Sequence, residues 1–88
     1  MLHMINKAPE HPRFQACLAT LTSDDTLVLL ENAVLALLER DFQPPCPVFA
    51  LKADSNARGV TPHVPAVQLV DAAELVRLTA VNEQLINW

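Results

Sequence analysis

The sequence contains a single glycine, Gly59, among its 88 residues. Phosphate-binding loops and dinucleotide-binding turns need several glycines at fixed spacing, because the backbone there takes positive φ or approaches a ligand closely. Nucleotide-binding sites of these kinds are therefore excluded, and so is the glycine-flanked serine of many hydrolases. Gly59 itself marks the one obvious left-handed position of the chain.

Cysteine is also scarce, since the chain has only Cys17 and Cys46. Two cysteines are too few for a disulfide scaffold, and they do not form a C-x-x-C motif. The histidines His3, His11 and His63 are scattered without the spacing of metal ligands. We therefore expect no metal and no cofactor, and a reducing cytoplasmic environment.

Positive charge is low, with six Lys and Arg against ten Asp and Glu and a net charge of −4. Such a chain lacks the positive field that neutralises phosphates, so we expect no direct contact with nucleic acid. The apolar run at the start, residues 1–5, is shorter than the core of a secretory signal. We expect neither export nor a membrane span.

Apolar residues, in contrast, make up 51% of the chain, and its mean hydropathy is +0.22. The length suits one domain over residues 1–88, and a domain of this size leaves much of its surface exposed. So many apolar residues in a small domain suggest an added interface. Without partners, the chain could form a homo-oligomer by pairing an apolar patch with its own copy.

Short apolar runs alternate with helix-like segments, which predicts an α/β fold. We expect a mainly parallel sheet of about four to five short strands with helices on both faces. The predicted strands are Leu2–Ile5, Thr26–Leu30, Pro47–Leu51 and Val67–Val70. The second and third of these runs hold consecutive apolar residues, which is typical of central strands buried on both faces.

Three longer helices are predicted between and after these strands. The first begins near Pro12 and carries one apolar stripe, formed by Phe14, Cys17, Leu18 and Leu21. The second, about Asn32–Arg40, is apolar around its whole circumference and needs cover on two sides. The last begins after Asp71, runs to about Val81, and presents an apolar face of Leu75, Val76, Leu78 and Thr79.

Cys17 and Cys46 are the candidate nucleophiles. Cys17 fits either a sulfur-carrying thiol or a small apolar residue of the helix stripe. Packing is favoured, because a position two turns from the helix start gains little from the helix dipole that would lower a thiol pKa. Cys46 stands between prolines, where a thiol could be exposed, but it has no basic neighbour. It is interpreted as a loop thiol without a chemical role.

Lys52, Asp54 and Arg58 follow the third strand, at the edge where open α/β sheets bind ligands. A small polar site is one interpretation. The favoured one is structural, with Asp54 capping a short helix that Gly59 ends.

Three further polar residues receive structural interpretations. Asp24 and Asp25 are paired carboxylates, a pattern seen in acid–base catalysis, but they lie in a turn-forming sequence before the second strand. A solvated turn is favoured for them. His3 is expected to pack or to make a local hydrogen bond.

Several segments in order resemble the DsrH/TusB family, and together they cover essentially the whole chain. They are Met1-Leu2-His3, Asn6-Lys7-Ala8-Pro9, Leu29-Leu30-Glu31-Asn32-Ala33-Val34, Val48–Leu51, Asp54, Ala57-Arg58-Gly59, Val70-Asp71, Leu75–Thr79 and Trp88. The tail departs from the family, which tends to have Gln-x-x-Trp where this chain has one residue more between Gln84 and Trp88.

The resemblance implies a subunit of a heterohexameric sulfur-relay complex of three homologous chains. The partners would be DsrE/TusD-like and DsrF/TusC-like subunits, and the complex would contact an upstream sulfur carrier and a TusE/DsrC-like acceptor. In the family the principal persulfide cysteine belongs to the DsrE/TusD-type chain. Cys17 matches the place where DsrH-type chains often have a cysteine, which gives it at most the role of a secondary sulfur carrier.

Three functional hypotheses follow from the resemblance and from the apolar excess. The leading one is a mainly structural subunit of a relay for 2-thiolation of wobble uridine in tRNA, without sulfurtransferase activity of its own. The second is the equivalent subunit in dissimilatory sulfur oxidation. The third is a stand-alone interaction module.

Overall fold

A computed structural model of the chain describes residues 1–62 and 66–88. Its strands are β1 (Leu2–Ile5), β2 (Thr26–Leu29), β3 (Val48–Leu51), β4 (Val67–Val70) and β5 (Leu85–Asn87). They form one five-stranded parallel sheet in the order β4-β3-β2-β1-β5. The helices are α1 (Pro12–Thr20), a 3₁₀ helix (Glu31–Leu38), α2 (Lys52–Ala57) and α3 (Ala72–Val81). The α/β prediction is confirmed, and no helix of the described residues is long and apolar enough to cross a membrane.

The middle of the sheet is β2, as the consecutive apolar residues predict. Leu27, Val28 and Leu29 are completely buried, although successive residues of a strand point to opposite faces. Strand β3 is interior as well, and β4 and β5 form the two edges. The fifth strand is the one element that the sequence pattern did not place.

The helices divide unequally between the two faces of the sheet. Strands β1, β2, β3 and β4 follow one another across the sheet in a single direction. The chain then crosses back, and β5 pairs with the free edge of β1. Because parallel connections are right-handed, the first three helices lie on one face and α3 lies on the other. The main core fills the first face, where Ile5, Leu29 and Ala50 stand side by side in neighbouring strands.

Helix α1 forms as the sequence predicts. Pro12 occupies its first turn, and the His11 Nδ1 atom accepts a hydrogen bond from the Arg13 backbone N–H at 3.1 Å. This side-chain cap satisfies one of the free donors at the helix start. The predicted stripe packs into the core: Phe14, Cys17 and Leu21 are buried, and Leu18 is partly buried against them.

The second predicted helix is shorter than expected and winds more tightly. It ends at Leu38 instead of Arg40 and is a 3₁₀ helix, in which residues three apart lie above one another. Ala33 and Ala36 form one buried column, and Val34 and Leu37 form another. The all-round apolar pattern is therefore explained largely within this chain, because two of the three sides of the helix are buried.

Helix α3 has the capping box that the sequence predicts. The Asp71 Oδ1 atom accepts from the Glu74 N–H at 2.8 Å, and the Glu74 Oε1 atom accepts from the Asp71 N–H at 3.2 Å. Its predicted apolar face is wrong at Val76, which turns outward and is 65% exposed. No residue of α3 is buried. An open groove of about 250 Å³ lies between the helix and the sheet, and Phe49 and Val70 line its sheet side.

Candidate functional site

The Cys17 thiol is enclosed in the main core. It lies on the inner stripe of α1, in one cluster with Phe14 and Leu21. Burial, followed by the nearby Cys46 and Asp25, raises the pKa of the Cys17 thiol to about 11. The thiolate is the nucleophilic form of cysteine, so Cys17 is held in its unreactive state at neutral pH.

Cys46 is buried too, which corrects the picture of a loop thiol that could be exposed. It belongs to the same core cluster as Cys17, and both cysteines are free. Burial raises the pKa of the Cys46 thiol, and the nearby Asp25 carboxylate acts in the same direction. Cysteine behaves as a small apolar residue. The loop before β3 can therefore direct the Cys46 side chain into the core.

The polar residues after β3 form a structural cluster at the carboxyl edge of the sheet. The prediction that Asp54 caps α2 is wrong, because Leu51 precedes that helix and the Asp54 Oδ2 atom accepts from the Glu31 N–H at 2.7 Å. Asp54 thereby holds the start of the 3₁₀ helix, where Glu31 has an unfavourable φ of 49°.

Arg58 completes this cluster. Its Nε atom donates to the Asn32 Oδ1 atom at 3.1 Å, and its Nη1 atom lies 3.8 Å from the Asp54 Oδ1 atom. Gly59, with φ of 63°, follows α2 and ends it as predicted. Lys52 is exposed and makes no hydrogen bond to a described residue. Asp54 and Arg58 therefore join the ends of β2 and β3, and their charged groups are engaged with each other and with the backbone.

A set of three side chains in contact, Trp88, His3 and Asp25, is the feature that sequence reasoning missed. The buried His3 accepts a hydrogen bond at Nδ1 from the Trp88 Nε1–H at 3.0 Å, and its Nε2 atom lies 3.4 Å from the Asp25 Oδ2 atom. The indole nitrogen can only donate. The Nδ1 atom of His3 is therefore the acceptor of this bond, and its Nε2 atom is directed to Asp25.

Asp25 belongs to a turn, as predicted, but its side chain is not solvated. The backbone turn closes from the Asp25 N–H to the Thr22 carbonyl at 3.1 Å, while the carboxylate is only 12% exposed. A hydrogen bond from the Thr22 N–H lowers the pKa of the Asp25 carboxyl, and the Met1 nitrogen and His3 act in the same direction. The carboxylate thus anchors the amino end of β1 to the turn before β2.

These arrangements define what the candidate residues can do. Among the described residues, no group of three or more His, Cys, Asp and Glu side chains could hold a metal ion. His63 lies outside the described residues, whereas His3 is engaged with Trp88 and Asp25. Neither cysteine lines the cavity of about 350 Å³ beside His3, Asp25 and Trp88. The described side chains therefore bring no reactive thiol to the surface.

Comparisons with known proteins agree on one family. The sequence profile described as "DsrH like protein" matches residues 7–85. The chain is 34% identical to Protein TusB of Escherichia coli and 32% identical to Protein TusB of Pectobacterium atrosepticum, with both proteins covered over their full lengths. The solution structure of protein Tm0979 from Thermotoga maritima superposes with a TM-score of 0.71 at 26% identity, covering 96% of this chain and 97% of that one. The chain is similar to TusB proteins over its whole length, and it belongs to the DsrH family.

Proposed function

We propose that this chain is a subunit of a sulfur-relay complex that supports assembly and does not itself carry persulfide. Membership of the DsrH family supports the relay. The observation that supports the lack of persulfide on this chain is the burial of both thiols, with the pKa of Cys17 raised to about 11. Sulfur passes between cysteines by attack of an accessible thiolate on the sulfur of a partner. A buried, protonated thiol cannot make that attack.

The proposed complex contains DsrE/TusD-like and DsrF/TusC-like chains homologous to this one. Sulfur would enter from an upstream carrier, rest on the cysteine of the DsrE/TusD-like chain and leave to a TusE/DsrC-like acceptor. The full-length similarity to TusB proteins favours the tRNA-thiolation relay over dissimilatory sulfur oxidation. The chain would act in the cytoplasm and would not touch tRNA directly.

Exposed apolar residues support a role in assembly. Leu38 projects from the 3₁₀ helix, and Val76 and Val81 project from α3, all more than half exposed. Full burial of a completely exposed Leu or Val side chain contributes roughly 1.5–3 kcal/mol, and these three side chains are 51–76% exposed. A partner that covers the outer side of α3 would bury these side chains. This burial would stabilise the complex relative to the isolated chain.

The test is sulfur flux in the reconstituted complex with Cys17→Ala and Cys46→Ala combined. Each substitution removes a buried sulfur and costs on the order of 1 kcal/mol, so the chain is expected to fold and assemble. We expect labelled sulfur to reach the acceptor at the wild-type rate. The matched control replaces the persulfide cysteine of the DsrE/TusD-like subunit and is expected to stop the flux. A double variant that assembles but transfers no sulfur would contradict the proposal.

A further inference from the structure

Strand β5 is held to the sheet by few side-chain contacts. All three of its side chains are exposed, and the preceding helix α3 has no buried residue. The strand is joined to β1 by backbone bonds, among them the bond from the Trp88 N–H to the Met4 carbonyl at 2.8 Å. Of the residues that follow α3, Trp88 alone packs its side chain against the main core. The indole is therefore the side-chain anchor of β5.

The anchor depends on an acceptor that protonation removes. The Trp88 Nε1–H donates to the Nδ1 atom of His3 at 3.0 Å, and a ring nitrogen accepts only when it carries no proton. An imidazole that takes a second proton carries hydrogen on both nitrogens. Two N–H groups would then face each other across this distance. The bond between His3 and Trp88 therefore requires neutral His3.

We propose that His3 and Trp88 form a pH-sensitive latch, which holds β5 against β1 while His3 is neutral and releases β5 when His3 takes a second proton. His3 belongs to β1 and Trp88 directly follows β5, so their bond crosses the junction that opens. Imidazole is the side chain that ordinarily changes its charge between about pH 5 and 8. This is the range over which the latch is tested.

Release of β5 also brings water to His3. The His3 side chain is buried, and Ile86 and Trp88 line the cavity of about 350 Å³ beside it. When β5 separates from β1, both side chains leave the cavity wall and the imidazole becomes hydrated. Burial disfavours the charged form of a group. Hydration and the loss of the Trp88 bond therefore both favour protonated His3 in the open state.

The charged groups that face His3 remain in place when β5 is released. The Asp25 Oδ2 atom lies 3.4 Å from the His3 Nε2 atom, and the Met1 nitrogen lies 3.3 Å from the Asp25 Oδ1 atom. A hydrogen bond from the Thr22 N–H lowers the pKa of the Asp25 carboxyl, so Asp25 stays charged where imidazole titrates. None of these groups lies on β5. Asp25 therefore attracts the proton in both states and serves as the counterion after release.

The remaining titratable groups at this junction do not explain a latch. Arg13 Nε donates to the Trp88 carbonyl at 3.2 Å, and the guanidinium stays charged at every pH of interest. The Cys17 and Cys46 thiols of the adjoining core stay protonated, because burial raises the pKa of both. His11, which caps α1 through the Arg13 N–H, is a second imidazole near this contact. The experiment therefore separates His11 from His3.

The inference concerns this chain alone and does not rest on the sulfur-relay function. Its test is amide hydrogen exchange of the full chain at about pH 7 and about pH 5, with each rate divided by the intrinsic rate at that pH. The Ile86 and Trp88 amides, which face β1, report the closure of β5. The Leu27 amide, which donates to the Pro47 carbonyl at 3.0 Å, reports unfolding of the whole sheet.

We expect protection of the Ile86 and Trp88 amides to fall roughly tenfold or more at the lower pH, while Leu27 stays protected. His3→Asn keeps an acceptor oxygen near the position of Nδ1 but does not titrate, so β5 should stay protected at both pH values. Trp88→Phe removes the donor, so protection of the Ile86 amide should be low at both.

Matched controls remove the other two imidazoles of the chain. His11→Asn keeps an oxygen that caps α1, and His63→Asn replaces the third histidine; both should retain the wild-type pH dependence. Trp88 is the sole tryptophan, so its emission should shift to longer wavelength along the same pH curve. Equal protection of β5 at both pH values, parallel loss of Leu27 protection, or a pH dependence that His3→Asn retains and His11→Asn abolishes would overturn the proposal.

Discussion

Replacing Cys17 with aspartate is expected to remove a large part of the stability of the isolated chain. The side chain is buried beside Phe14 and Leu21, and the nearby Asp25 carboxylate opposes a second negative charge. Burying an unpaired carboxylate, or forcing it to stay protonated, costs roughly 3–5 kcal/mol. An 88-residue domain has a total stability of about 4–13 kcal/mol, so the loss is a large part of it. Urea denaturation followed by Trp88 fluorescence measures it.

Two control substitutions separate burial from charge in this experiment. Cys17→Ala removes only the sulfur and should cost on the order of 1 kcal/mol. Ala19→Asp adds the same carboxylate at an exposed position of the same helix and should lower the free energy of unfolding by only about 1 kcal/mol, because aspartate is a weaker helix former than alanine and stands in the last turn. If Cys17→Asp proved as stable as Ala19→Asp, the thiol would be accessible and the packing account would be wrong.

Trp88→Phe is expected to lower the free energy of unfolding by about 1–3 kcal/mol, because it leaves the buried His3 Nδ1 atom without a donor. An aromatic ring, though a smaller one, stays at position 88, and the backbone bond from residue 88 to the Met4 carbonyl can remain. The loss therefore reports chiefly on the indole N–H. Urea denaturation followed by circular dichroism measures it, since the variant lacks tryptophan.

A double-mutant cycle with His3→Phe supplies the control for Trp88→Phe. Removing both partners leaves no buried acceptor from this bond, so the two losses together should be smaller than the sum of the single losses. Strictly additive losses would mean that the His3–Trp88 hydrogen bond does not form in solution.

The features that could be predicted from the sequence depend on neighbours within one helix or strand. The Asp71–Glu74 capping box spans three residues and sets the start of α3 without help from the rest of the chain. The stripe that buries Phe14 and Cys17 follows from helical spacing alone. The consecutive apolar residues of β2 reflect cover on both faces, and that cover is a general property of parallel sheets.

The features that could not be predicted depend on residues far apart in the chain. Asp54 satisfies the Glu31 N–H across 23 residues, and His3 meets Trp88 across 85 residues, so no local pattern reveals either contact. Strand β5 has three residues with all side chains exposed, and it therefore lacks the alternation that identifies a half-buried strand. The inward turn of Cys46 depends on the core that the other elements form around it.

The central claim is that this chain supports a sulfur relay without carrying sulfur, and the position of labelled sulfur in a working complex tests it most directly. The complete complex is charged by its upstream carrier, quenched during turnover with an alkylating reagent, and separated into subunits for intact-mass analysis. The account predicts persulfide on the DsrE/TusD-like subunit and none on this chain, because Cys17 and Cys46 are buried and protonated. Persulfide that appears on Cys17 as fast as on the DsrE/TusD-like subunit would contradict it.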